Sequence, residues 1–195
     1  SWWQVTLEFL QIVTKFWPEA LKERKRSNPA AHRSRLIDAE AERFRRNPPR
    51  GPVIAAGSTG SIPATARLLG VISQLPLGAV VLPGLDLRLD DAAWAMLNDA
   101  ESAPSIFGHP QFGLNKLLRE IGVERGDVAE IGMASATLAA RAAIVSEALR
   151  PAESTERWAD SRAVVADASA TGALDGVTLV EAANERDEAL AIAAA

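Results

Sequence analysis

The chain has 195 residues, 48% hydrophobic and 24% charged, enough for one sizeable globular domain or two small lobes. Its lack of cysteine excludes disulfides, thiolate zinc sites and cysteine-ligated iron–sulfur clusters within this stretch. The net charge of −4 conceals an asymmetry: residues 1–50 hold 11 of the 21 Lys/Arg and 6 of the 25 Asp/Glu, so they carry +5 and the remainder −9. A basic front on an acidic body suits a polyanion or an acidic partner on one side only. No apolar run approaches the ~18 residues of a membrane span, and no signal segment opens the chain, so a cytoplasmic address is expected.

The first element is a helix over Trp2–Lys25. Trp3, Leu7, Leu10, Val13 and Trp17 recur at helical spacing, and Phe9, Ile12 and Phe16 widen the stripe. Its placement on the apolar stripe predicts burial for Trp3 and Trp17, as core or subunit-interface anchors. Pro18 is expected to kink this helix or divide it in two. After Ser27-Asn28-Pro29 the pattern gives a second amphipathic helix, about Ala30–Arg46, with Ile37, Ala41 and Phe44 on one face. The run Asn47-Pro48-Pro49-Arg50-Gly51-Pro52 ends it and marks a lobe boundary.

The character then changes. Val53–Ala56 and Gly78–Leu82 are short apolar runs bounded by turn residues, the pattern of buried parallel strands. Between them Gly57-Ser58-Thr59-Gly60-Ser61 forms a tight loop, with Ser61 expected to cap a helix that has Pro63 in its first turn and runs to about Gln74. Asp90 is read as the cap of a third helix reaching about Ala100. Strand, helix, strand and helix at this spacing form a βαβ unit with a right-handed crossover. Further helices are expected over Gln111–Ile121, stopped by Gly122, and over Thr137–Leu149, stopped by Pro151. Val177–Val180 reads as a late strand feeding a helix from Asn184 that is still open at Ala195. With no initiator Met, this open end leads to the expectation that the chain is a piece of a longer one. The predicted organisation is a basic helical region over 1–50, an α/β lobe over 51–150, and a linker with the start of the next strand–helix element over 151–195.

Two places invite chemistry. A Gly/Ser loop between a strand and a helix N-terminus offers backbone N–H groups and a positive dipole end to a phosphate, through Ser58, Thr59, Gly60 and Ser61. It is neither a Walker A loop, a dinucleotide fingerprint nor a nucleophile elbow, and such turns also take Gly and Ser for geometry alone. The second place is the basic cluster. Lys22, Arg24, Lys25, Arg26, Arg33, Arg35, Arg43, Arg45, Arg46 and Arg50 fall within 29 residues, interrupted by the acids Glu23, Asp38, Glu40 and Glu42. On a shared face they would neutralise several phosphates together. The alternative is a solvated helix face with pairs such as Glu42–Arg46. His109, in Gly108-His109-Pro110, fits a turn. The carboxylates Asp90-Asp91 and Asp99/Glu101 could hold Mg²⁺ in principle, but a cap explains Asp90 and solvated surface explains Asp99 and Glu101.

Several longer strings carry a resemblance. They are Trp2-Trp3-Gln4-Val5-Thr6-Leu7-Glu8-Phe9-Leu10, Asn47-Pro48-Pro49, Gly51 through Thr65, Gly78 through Asp86, His109 through Leu114, Leu149 through Glu153 and Glu181 through Ala193. Together they resemble the AddB family of helicase–nuclease subunits, of alphaproteobacterial type. The resemblance implies a partial superfamily 1 helicase-like core, α/β with a short parallel sheet flanked by helices and a preceding helical region. In that fold the strand before Gly57 would correspond to one that ends in Mg²⁺-binding acids in an active motor, and here it runs into Gly-Ser-Thr-Gly-Ser. The next strand ends in Pro83-Gly84-Leu85-Asp86, without the residues expected beside a γ-phosphate.

What the resemblance implies about function follows. The parent subunit would act in double-strand break resection and homologous recombination, with the motor subunit AddA and DNA as partners. Its iron–sulfur cluster and Mg²⁺ belong to a C-terminal nuclease domain, so no cofactor and no enzymatic activity are expected of this segment. Its expected role is that of a non-catalytic scaffold and DNA guide. Two rivals stand beside it: a small-molecule enzyme holding a phosphate at Gly57–Ser61, and a pure protein-interaction module.

Overall fold

The computed structural model describes residues 2–99 and 104–194. They form two compact units, one from residues 2–87 with 97–99 and 104–129 and one from residues 88–96 with 130–194. The chain is mostly helical and carries a small parallel sheet of two strands.

In the first unit, helix α1 (Trp2–Gln11) continues through a π-helical turn (Ile12–Phe16) into α2 (Trp17–Glu23). The cause is Pro18. Without an N–H it cannot bond the Thr14 carbonyl, and the helix widens so that the Trp17 N–H reaches back to Ile12 O. The helix closes two residues before Lys25. Lys25 adopts a left-handed backbone, φ 51°, and Arg26 N–H bonds to Leu21 O at 2.8 Å. This is a Schellman stop in which Lys takes the place usually held by Gly. The expected burial of Trp3 and Trp17 is not realised within the chain: they are 77% and 50% exposed, and no residue of α1, the π turn or α2 is buried. A stripe this broad needs a surface to pack on, and the described residues provide none for it.

Helix α3 (Pro29–Arg46) starts at Asn28, whose Oδ1 accepts the Ala30 N–H at 2.8 Å, with Pro29 at the first helical position. Strand β1 (Val53–Ala56) pairs in parallel with β2 (Gly78–Val81), Val53 opposite Gly78 and Ala56 opposite Val81. Between them runs α4 (Pro63–Ser73). Its Ala64, Ala66, Leu69, Val71 and Ile72 are buried, because α4 packs on the strands and on two other helices at once. On one flank, Ala41 and Phe44 of α3 meet Val71 and Ile72, with Val53, Ala55 and Val80 beneath. On the other, Leu117 and Ile121 of α6 (Phe112–Ile121) meet Ala66 and Leu69, over Ala55, Val80 and Leu82. Each large side chain withdrawn from water in this way contributes roughly 1.5–3 kcal/mol.

The strands differ from expectation in one respect. Only one face of the sheet is covered: Val53 and Ala55 are half-buried, whereas Ile54 on the opposite face is 66% exposed. The apolar runs signalled burial on both sides, but α3, α4 and α6 share a single side. Helix α6 ends as expected, with Gly122 in the left-handed conformation, φ 70°.

In the second unit, α5 spans Asp91–Met96. Asp90 caps it, its Oδ1 accepting the Ala93 N–H at 3.0 Å. The helix is shorter than expected, ending at Met96 before a turn; Ala100 and Glu101 lie outside the described residues. Helix α7 (Ala136–Ala148) begins at a Ser135 cap and closes before Pro151. A 3-10 segment (Ala152–Asp160) and α8 (Arg162–Ala170) follow, in a stretch read from the sequence as linker. Ala140, Ala168 and Ala173 form the small core where α7 meets α8, with Ile144 beside them. The expected strand at Val177–Val180 is absent: the segment is irregular, and Val177, Leu179 and Val180 are 65%, 84% and 62% exposed. A strand exists only by pairing, and the paired strands β1 and β2 both belong to the other unit. Helix α9 (Glu185–Ala194) starts at Asn184, whose Oδ1 accepts the N–H groups of Arg186 and Asp187 at 3.1 and 3.0 Å; Ala195 lies outside the described residues.

Candidate nucleic-acid interface

Lys22, Arg24, Lys25, Arg26, Arg33, Arg35, Arg43, Arg45 and Arg46 are all exposed, but they do not form one stripe. Lys22, Arg24, Lys25 and Arg26 are gathered by the Schellman turn that ends α2. Those on α3 are spread around the helix. At 100° per residue, Arg35 and Arg46 lie opposite the buried Phe44 and about 16 Å apart along the axis, while Arg33 lies on the Phe44 side.

Two of the α3 cations are held by their own helix. Arg43 makes a two-pronged bond to Glu40, Nε to Oε2 at 2.8 Å and Nη2 to Oε1 at 2.6 Å, and its guanidinium lies 4.7 Å from the centre of the Phe44 ring. The Arg43 side-chain bond holds the Glu40 carboxyl below its ordinary range. Arg45 pairs with Glu42. The i,i+4 pair anticipated between Glu42 and Arg46 is thus replaced by an i,i+3 pair, which directs Arg45 rather than Arg46 onto the acid. Asp38 is engaged from α4 by Arg67, with bonds of 2.8 and 2.9 Å. The four cations of the Schellman turn are the most closely gathered part of the basic region, whereas Arg33 points to a different side of α3 from Arg35 and Arg46.

The Gly57–Ser61 loop follows the carboxyl end of β1. Ser58 Oγ accepts the Gly60 N–H at 3.3 Å, so this hydroxyl closes the loop on itself. Thr59 is exposed. Gly60 has φ +64°, and a Cβ there would stand 2.7 Å from Leu117 Cδ1. Ser61 does not cap α4: Ile62 occupies the cap position, without a side-chain bond, and Pro63 follows at the start. The chain turns into the helix one residue later than its Ser61 suggested, because Pro63 fixes the first helical φ and leaves Ile62 extended before it. At the end of β2, Gln111 bridges the loop that follows, donating Nε2 to Gly84 O at 2.9 Å and accepting the Asp86 N–H at 3.0 Å. His109 Nδ1 accepts the Gln111 N–H at 3.1 Å, a turn role as expected. These polar groups hold two loops in shape.

The strongest electrostatic cluster lies in the second unit. The Arg150 side chain, 5% exposed, bonds Asp90 Oδ2 at 2.5 Å and Glu147 Oε1 at 2.7 Å. Arg157 reaches the same Asp90 oxygen at 3.2 Å, and Ser161 donates to Glu147 Oε2 at 2.6 Å. Asp90 is held below its ordinary range by the Ala93 N–H first and Arg150 second. Glu147 is lowered chiefly by Arg150, which is itself raised by Glu147. The i,i+3 spacing of Glu147 and Arg150 was visible in the sequence. The contact with Asp90, sixty residues away, left no local signal. Mutual satisfaction of these charges makes the cluster structural.

Among the described residues no group of three or more His, Asp or Glu is placed to hold a metal, and no helix is long and apolar enough to cross a membrane. Compared with protein-family models, curated proteins and solved structures, the chain matches none.

Proposed function

We propose that this chain is a non-catalytic scaffold and DNA-guiding segment of an ATP-dependent helicase–nuclease subunit, acting in the cytoplasm in double-strand break resection and recombinational repair. The observation that carries the reading is the turn after α2. Lys22, Arg24, Lys25 and Arg26 crowd into five positions, all exposed, on a left-handed backbone that costs a lysine about 1 kcal/mol more than a glycine. Exposed cations at that density attract phosphates without reading sequence. The resemblance of the long strings to the AddB family points to the same reading. In that framework β1, α4 and β2 would be a piece of the helicase-like core, and AddA the motor partner.

A second reading, a protein-interaction module, is favoured by a different observation. Trp2, Trp3, Leu7, Phe9 and Ile12 are each more than half exposed along α1 and the π turn, and Ile54 is exposed on the open sheet face. Apolar surface of this kind marks interaction sites.

One experiment separates the readings. A fluorescent single-stranded oligonucleotide is titrated with the chain at low salt, and the chain is separately mixed with the motor subunit and passed through a sizing column. Saturable DNA binding supports the guide. A stable complex without DNA binding supports the interaction module. Absence of both overturns the two together.

A further inference from the structure

We draw no further inference here: the strongest candidate, the exposed apolar face running from Trp2 to Trp17 along the first two helices, is unpartnered and nothing in the structure shows what covers it.

Discussion

Arg150 carries more of the second unit than its position in the sequence suggests. It neutralises Asp90 and Glu147 while almost wholly withdrawn from water, and removing it would leave, among the described residues, Asp90 with Arg157 alone and Glu147 with no cation. Arg150→Leu is therefore expected to destabilise this unit by about 3 kcal/mol, the low end for a buried pair because both acids keep some contact with solvent. Amide hydrogen exchange across α7 measures it, and unchanged protection would contradict the assignment. The same cluster sets a pH dependence. Asp90 and Glu147 bind protons less readily folded than unfolded, so their contribution is complete above their ordinary values of 3.8 and 4.5. It is lost as the pH falls through the lower folded values. Thermal melts below pH 4.5 should show a steep loss of stability that Glu147→Gln makes shallower. Equal slopes in the two proteins would remove Glu147 from the account. Gly60 makes a different demand. Gly60→Ala must hold a left-handed backbone and push Leu117 aside, which is expected to cost about 2 kcal/mol in chemical denaturation. A change below about 0.5 kcal/mol would mean the loop rearranges freely.

The elements that could be read from the sequence are those fixed by local chemistry. Asn28-Pro29 opens α3, Gly122 closes α6, Pro151 follows the end of α7, and two short apolar runs mark the paired strands. Features fixed by distant contacts were harder to see. Val177–Val180 has the composition of a strand, yet among the described residues it has no strand beside it; the 3-10 segment has few apolar residues, and α8 has only a weak apolar periodicity. The basic residues were legible as a cluster but not in their arrangement, because Glu40 and Glu42 engage Arg43 and Arg45 at i,i+3. Helix α1 is the clearest case of a pattern legible in the sequence whose burial is not realised within the chain. Its apolar stripe is present, and none of it is covered. The double substitution Leu7→Gln with Leu10→Gln should therefore leave the melting of the α3–α4 core within about 0.5 kcal/mol of the parent. A larger loss would show that α1 packs against that core in solution.

Across the whole chain the asymmetry of charge is the feature on which the proposed function rests most. The +5 of residues 1–50 lies on α1–α3 and the turns that flank them, while the −9 is spread over the rest of both units. An excess of one sign confined to one stretch attracts a polyanion to that stretch and repels it elsewhere. In the proposed reading the turn after α2 would supply the contacts to the polyanion. The most direct measurement is the salt dependence of binding to a single-stranded oligonucleotide, for the parent chain and for the triple variant Arg24→Glu, Lys25→Glu, Arg26→Glu. Each phosphate contact contributes roughly 0.7 to the slope of log affinity against log salt on a single strand. Weaker binding by the variant is expected, with a slope shallower by about 2. Equal slopes for the two proteins would contradict the proposed role.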